Sequence, residues 1–525
     1  MKKNIFVLMI AIIISKLAAF AKDIVLSYYY GASDISDAYL VSLAIPMVVF
    51  GVIGTSMASG YIPMYNEIVK DHGVDRGVKF TNNLINLTLI CCSVLVLIVL
   101  IFTEKVVLLF ASGFNRQTME LAITFTRINI IGIYFIGTFY IFEAFLHQNG
   151  NFSASGLTSL PVNFLLIVFI IISFKTDSMV LSIGSVLSFM LHTAILLLLS
   201  VRRQYQYQIV LDFKDIYLKR MIFIMLPLII SSSSQQINQI VEKTIASHIA
   251  VGGITTLSYA QKLISFLKDV FVLSIVTVLY PNISKMAAEG QMDSFRKTIS
   301  AAIDCICLLV IPSTIGMMIF SKPIIELLYH RGAFDAQAVS MTSESLFFYS
   351  LGLTAFGIRS IFVKALYSLK DVKTPVMSSI ISVIANILLN ILLSRYLGIG
   401  GLALSSSISA ILAMILLYIS LRKKIGIMVA GKSAATFLKI LAVSTGMGLS
   451  AKLCFEILKT IFSQNLSLIL SVCFGVMLYA AAIALARIET VDTLRDVFIA
   501  KIKSMLINPS VKKQFPFSYI IRLHR

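Results

Sequence analysis

The chain has 525 residues, of which 58% are hydrophobic and 13% charged, with a mean hydropathy of +0.92. A soluble domain carries about 25% charged residues and an apolar share nearer half, so this composition excludes a water-soluble globular protein and leaves an integral membrane protein. The formal net charge of +19 does not indicate nucleic acid, because the basic residues lie in short loops beside apolar segments and not on a groove-forming domain; the partner that fits is an anionic lipid leaflet.

Apolar windows of about 20 residues recur along the chain, the length of a spanning helix and twice that of a β-barrel strand. The first covers 5–30. Its start imitates a signal peptide, with Lys2 and Lys3 before an apolar run and Ala19-Phe20-Ala21 in the pattern of a cleavage site. Lys16 interrupts that run and cleavage would leave too little to span, so the segment is expected to be retained. Further segments fall at 38–65, 80–102, 119–146, 157–174 and 179–201. A second series follows at 218–250, 255–280, 299–320, 342–367, 376–396 and 400–421, then two more at 434–458 and 466–486. The expected fold is therefore an all-α integral membrane protein with about 14 transmembrane helices.

Lysine and arginine are distributed unevenly between the loops. With the N-terminus cytoplasmic, the inner loops collect Lys70, Arg76, Lys79, Arg202, Arg203, Lys214, Lys219, Arg220, Lys285, Arg296, Lys297, Lys370, Lys373, Arg422, Lys423, Lys424 and Lys432, against a handful outside. By the positive-inside bias both termini are expected in the cytoplasm. The tail 490–525 is basic and amphipathic, as expected of a segment held on the membrane surface by lipid charge.

The chain also matches itself at an offset of about 220 residues, a parallel repeat of the transporter kind. Tyr61-Ile62-Pro63 recurs as Leu279-Tyr280-Pro281, Gly113-Phe114 as Gly332-Ala333-Phe334, Asp37-Ala38-Tyr39 as Leu257-Ser258-Tyr259, and Ala144-Phe145 as Ala365-Leu366. The expected organisation is two pseudo-symmetric six-helix lobes, 1–205 and 206–425, followed by two C-terminal helices in 426–489 and the tail. Such lobes face each other across a central cavity and alternate between inward- and outward-open states.

An ionised side chain near the bilayer centre costs roughly 2.5–3.5 kcal/mol on insertion scales, so intramembrane charges are functional candidates. They are Lys16, Lys22, Asp23, Arg127, Glu143, Glu242, Lys243, Lys262, Arg359 and Lys364. Lys16 and Asp23, two helical turns apart, share a face from which Lys22 is offset by about 100°. Glu242 and Lys243 stand in the first helix of the second repeat where the first has Lys22 and Asp23. A cavity lined by several such cations suits an anionic substrate such as a pyrophosphate. The run Ser231-Ser232-Ser233-Ser234-Gln235-Gln236 either lines the cavity or mediates helix packing.

Enzymatic readings find no support. The six histidines are scattered without HExxH spacing, the six cysteines lie in apolar segments without CxxC spacing, and no phosphate-cradling glycine loop followed by lysine is present. No metal, cofactor or nucleotide drive is expected. Transport would draw on membrane potential, a coupling ion or a downhill substrate.

Five stretches carry a family resemblance: KLAAFAKD at 16–23, YYYGASDISDAYLVSLAIP at 28–46, YIP at 61–63, LYHRGAFD at 328–335 and ALYSLKDVKTPV at 365–376. Over essentially its full length the chain resembles the MurJ (MviN) lipid II flippases of the multidrug/oligosaccharidyl-lipid/polysaccharide exporter superfamily. The resemblance implies translocation of undecaprenyl-pyrophosphate-linked lipid II across the bacterial cytoplasmic membrane, with the last two helices forming a groove for the polyprenyl tail. It implies substrate-binding roles for Lys16, Lys22, Asp23, Asp37 and Lys262, to which the intramembrane charges add Glu242 and Arg359. Departures are Phe50, Gly51 and Thr55 in the second helix, where the family has cavity arginines and a glutamate, and Gln261 and Ser265 where it has acids. They keep two alternatives open: a flippase for another polyprenyl-linked oligosaccharide of capsule, exopolysaccharide or teichoic acid, or a drug or cation antiporter of the same superfamily.

Overall fold

The computed structural model describes residues 2–151, 153–426 and 430–485, and the basic tail at 490–525 lies outside them. Every regular element in the described residues is helical. The first eight helices are α1 (Lys2–Tyr30), α2 (Asp34–His72), α3 (Val74–Ile101), α4 (Thr103–Ala111), α5 (Arg116–Asn129), α6 (Gly132–Gln148), α7 (Ser153–Lys175) and α8 (Met179–Val201). A second set follows: α9 (Ile216–Ile249), α10 (Gly253–Leu267), a π-helical turn at Lys268–Leu273, α11 (Ser274–Ala288) and α12 (Met292–Ile319). It continues with α13 (Ser321–Tyr329), α14 (Ala336–Leu351), α15 (Leu353–Ser368) and α16 (Lys373–Ile425), before α17 (Ala430–Leu458) and α18 (Gln464–Leu485).

The repeat extends to the details of the backbone. Helices α3 and α12 have 28 residues each, and α4 and α13 nine each. The pair α5 and α6 bends by 46°, and α14 and α15 by 43°. After α6, Gly150 takes φ +77° and the Asn151 amide returns to the Leu146 carbonyl at 2.9 Å; 220 positions later Lys370 takes φ +60° and the Asp371 amide returns to Leu366 at 2.9 Å. The second copy thus makes with a lysine the left-handed turn that the first makes with glycine, which favours this region.

Among the described residues nine helices are long and apolar enough to cross a membrane, or eleven if each bent pair is one span, so the expected 14 is not reached by this test. Part of the difference lies in α16. Its 53 residues would reach about 80 Å as one helix, far beyond a hydrocarbon core of about 30 Å, and Gly398 (φ 54°, ψ −134°) breaks it in two. The halves bond to each other, Ser382 Oγ donating to the Ser409 carbonyl at 2.9 Å and Asn386 Nδ2 to Ser406 Oγ at 3.3 Å. Helices α1 and α9 are described only in part and stand outside the nine.

Packing divides the chain into two compact units, one of residues 1–259 and 328–341, the other of 260–327 and 342–525. The core of the first gathers Tyr61, Tyr65, Phe80, Phe145 and Tyr205, with the Tyr61 hydroxyl bonded to Thr81 Oγ1 at 2.7 Å. In the second, α17 lies against α12 through Cys307, Leu308, Ile311 and Ile440, and Tyr479 of α18 donates to the Leu308 carbonyl at 2.7 Å. All six cysteines are free thiols, Cys92 and Cys307 buried in the packing and Cys91 and Cys473 exposed on helix faces.

In the second unit, Asp371 caps α16 by accepting from the Thr374 amide at 3.0 Å and pairs with Lys424 Nζ at 2.7 Å. Burial pushes the Asp371 carboxyl up, but hydrogen bonds from Lys424 and Thr374 and the lysine charge outweigh it and hold the pKa at about 2. A carboxyl lowered in the folded state stabilises it above the unfolded pKa, and loses that contribution as pH falls through about 2. Asp371→Asn is therefore expected to lower the thermal midpoint in detergent at neutral pH. The gap to the parent protein should close progressively as the buffer is acidified below about pH 4.

Candidate functional site

Lys22 and Asp23 are neighbours on α1 and point in different directions from the backbone, yet Lys22 Nζ reaches back to Asp23 Oδ1 at 3.0 Å. The aspartate side chain is 6% exposed and the lysine 22%, so the carboxylate is neutralised where water scarcely reaches it. Lys16, two turns earlier, is half-buried. Close to this pair is a set of packed rings: Tyr259 stacks on Tyr329 at 4.7 Å, Phe334 leans on both, and Phe20 of α1 meets Tyr329 edge-on at 6.0 Å.

Beyond the rings one end of the first unit is sealed by turns from both copies of the repeat. Asp37, 2% exposed, accepts from the Thr255 amide at 2.8 Å and from Thr255 Oγ1 at 2.6 Å. Its carboxylate thus satisfies the first turn of α10 and meets the positive end of that helix. The Tyr28 carbonyl accepts from the Ala333 amide at 2.8 Å. Asp34 accepts from Asn115 at 3.2 Å and from the Thr118 hydroxyl, while the Gly113 amide donates to Ser247 Oγ at 3.0 Å. The approach is so close that Gly31 (φ +58°) has no room for a side chain: a Cβ there would stand 2.2 Å from the Ala333 carbonyl oxygen.

The remaining candidates separate. Glu242 is buried and accepts from Asn238 Nδ2 at 3.1 Å, one turn earlier on α9, with Lys243 half-buried beside it. Lys262 and Arg359 belong to the second unit. Arg359 donates to Ser379 Oγ at 2.9 Å. Lys364, also there, stands 5.0 Å over the Tyr280 ring, whereas Arg127 in the first unit is exposed. The departures in the second helix have a packing role: Phe50 fills the space left by Gly137, whose Cβ would meet its ring at 2.8 Å, and Gln236 lies against Gly51. Thr55 and the Ser231, Ser232 and Ser234 side chains lie outside the described residues. Gln261 donates to the Tyr349 hydroxyl at 2.8 Å.

Three features stand outside the residues singled out in the sequence, two of them with little or no signature there. Thr255 carries no charge to flag it, although its repeat partner region, 34–37, does. Tyr329 and Phe334 stand in the LYHRGAFD stretch, where the neighbouring His330, Arg331 and Asp335 are the conspicuous residues. Lys268 does carry a signal, as a charged residue inside the apolar segment 255–280; it opens the π-helical turn and sits 3.9 Å over the Phe356 ring, one turn before Arg359. A π-turn rephases a helix and is frequent at functional sites.

Helical throughout its described residues, built as a repeat and with charges held inside apolar segments, the molecule has the architecture of a polytopic membrane transporter. A sequence model of the lipid II flippase MurJ family matches residues 26–473, and the chain belongs to that family. It is 26% identical over 390 residues to a probable lipid II flippase MurJ of Buchnera aphidicola subsp. Baizongia pistaciae, covering 72% of this chain and 75% of the relative. A solved lipid II flippase MurJ in an inward closed conformation superposes with a TM-score of 0.78 at 26% identity, covering 91% of this chain and 98% of that one. An inward-facing multidrug-resistance MATE family transporter shares the fold, with a TM-score of 0.67 at 17% identity over 80% of this chain and 98% of the other.

Two outcomes are expected from this geometry. Gly31→Ala should break the Tyr28–Ala333 bond and raise maleimide labelling of Ala333→Cys in a cysteine-free background. Gly73→Ala, at φ +82° with open space around it, should leave that labelling unchanged. Removing one partner of a fully buried ion pair costs roughly 3–5 kcal/mol. With Lys22 still 22% exposed, Lys22→Met is expected to cost about 2 kcal/mol of unfolding free energy, most of it recovered by adding Asp23→Leu, as read by denaturant titration in micelles.

Proposed function

We propose that the chain is a lipid II flippase: it carries the undecaprenyl-pyrophosphate-linked peptidoglycan precursor from the inner to the outer leaflet of the bacterial cytoplasmic membrane. The observation that carries this reading is the family match over 26–473, supported by the superposition on a solved MurJ. In the proposal the lobes 1–205 and 206–425 alternate access to a central cavity, 426–489 takes the polyprenyl tail, and both termini are cytoplasmic. Lys16, Lys22 and Lys262, with Lys268 and Arg359, supply positive charge for the pyrophosphate and sugar head. Asp23 competes with that head for Lys22, so that substrate arrival exchanges one anion for another instead of stripping water from a bare ammonium.

Asp37 and Glu242 take a different part in this reading. Asp37 holds the sealed end together through Thr255, and its bond must break for that end to open. Glu242, bonded to Asn238, keeps an acid in the leading helix of the second lobe. A coupling ion or the membrane potential would bias the exchange.

Phe50 packed on Gly137, where the family resemblance implies cavity cations, favours a second reading in which the cargo is another polyprenyl-linked oligosaccharide. One experiment separates them. Depleting the chain in its host should accumulate lipid II on the inner leaflet, and Lys22→Ala or Lys262→Ala at normal expression should fail to restore growth. Accumulation of a different lipid-linked precursor selects the second reading, and full rescue by both variants removes the cationic site.

A further inference from the structure

The linker joining the two copies of the repeat is fastened along its whole length. Residues 205–213, between α8 and α9, have no helical structure, and they cross α3 at the level of three buried asparagines. Asn82 Nδ2 donates to the Gln206 carbonyl at 2.8 Å, Asn86 Nδ2 to Gln208 and Val210 at 3.5 and 2.9 Å, and Asn83 Nδ2 to Asp212 at 2.8 Å. Asn83 Oδ1 accepts in turn from the Asp212 amide, and the hydroxyls of Tyr205 and Tyr207 donate to Asn82 and Asn86. Both ends are fixed as well: Tyr205 is 1% exposed in the aromatic core, and Asp215 pairs with Arg76 at 2.9 Å while capping α9.

The depth of this crossing explains the asparagines. Lys79 is the last charge before the uncharged stretch 80–102, which is about 34 Å long as a helix, and Asn82 to Asn86 lie within its first two turns. The linker therefore lies at the border of the hydrocarbon, where an irregular backbone is tolerated only if its polar groups are satisfied by protein. The fastened backbone exposes large apolar side chains, Ile209 at 88%, Leu211 at 50% and Phe213 at 62%, with Ile216 at 66% just beyond, and exposed Gln206 and Gln208 alternate with them. Around them stand exposed Arg202, Arg203, Lys214 and Lys219. Three of the acids at this end are engaged, Asp212 by the Lys214 amide, Asp215 by Arg76 and Glu67 by Arg220, while Asp71 and Asp75 are exposed at the turn between α2 and α3.

We infer that residues 205–213 are an interfacial lipid-binding strap: Ile209, Leu211 and Phe213 insert into the leaflet at the basic ends of α3, α8 and α9, where Arg202, Arg203 and Lys214 bind anionic headgroups. Apolar side chains at the acyl border beside cations are the recognition chemistry of an anionic lipid surface. The three asparagines hold the strap in place before lipid arrives, so that insertion orders little chain.

The sequence contains no tryptophan, so one introduced indole reports without background. In full-length protein in nanodiscs, Ile209→Trp and Leu211→Trp are expected to emit at short wavelength and to be quenched by lipids brominated high on the acyl chain. Gln208→Trp, on the alternate side chain, should stay accessible to aqueous acrylamide. In the Ile209→Trp protein, quenching by brominated phosphatidylglycerol should exceed that by brominated phosphatidylcholine by about fivefold for each cation engaged, and the excess should vanish when Arg202→Gln, Arg203→Gln and Lys214→Gln are added. Water-like emission at both positions, or a dry indole that bromolipids do not quench because protein covers it, overturns the inference. Equal quenching by the two lipids removes the headgroup part.

Discussion

Hydrocarbon offers no hydrogen bonds, and this constraint shapes the whole molecule. Helices satisfy it along their length, so the places that need explanation are those where the helix stops or a polar side chain enters. At several of these the protein supplies the missing partner: Asp37 for the first turn of α10, Asp371 for α16, Asn82, Asn83 and Asn86 for the linker carbonyls, and Ser382 and Asn386 between the halves of α16. These bonds are also the joints of the structure, because a segment held by a few side-chain bonds is released more easily than one held by a helical ladder.

The charged residues follow the same rule with a consequence for transport. A lysine in a spanning segment with no partner would lose its proton or stay in water. Lys22 pairs with Asp23, Lys268 lies on Phe356, Lys364 on Tyr280, and Arg359 bonds to Ser379. In the proposed function the contacts of Lys22, Lys268 and Arg359 are ones that an anionic head replaces, so that no buried cation is left bare during the exchange.

Much of the fold could be read from the residues. Apolar length marks the spanning segments, and the offset of about 220 residues marks the duplication, which reappears in equal helix lengths, matching bends and the paired turns at Gly150 and Lys370. Segment reading also separates 376–396 from 400–421, and the structure breaks α16 between them at Gly398. The candidate site was legible in part. Lys16, Lys22 and Asp23 stand out because charge in an apolar run is conspicuous, while Thr255, Tyr329 and Phe334 do not, because they are ordinary residue types for their neighbourhoods.

Composition and periodicity settle the solvent in which this protein folds, the helical class, the duplication and the short list of charges that need a reason. Those are properties of local windows or of two windows compared, and a window of sequence contains them. Which group answers each charge is a different kind of fact. Asp37 meets Thr255 across 218 positions, the Asn82 side chain meets the linker across 124, and the Tyr28 carbonyl meets Ala333 from the other copy of the repeat. Such partners are chosen by how helices pack, and many polar residues of equal local merit compete for each place; the folded geometry alone brings one of them within hydrogen-bonding distance.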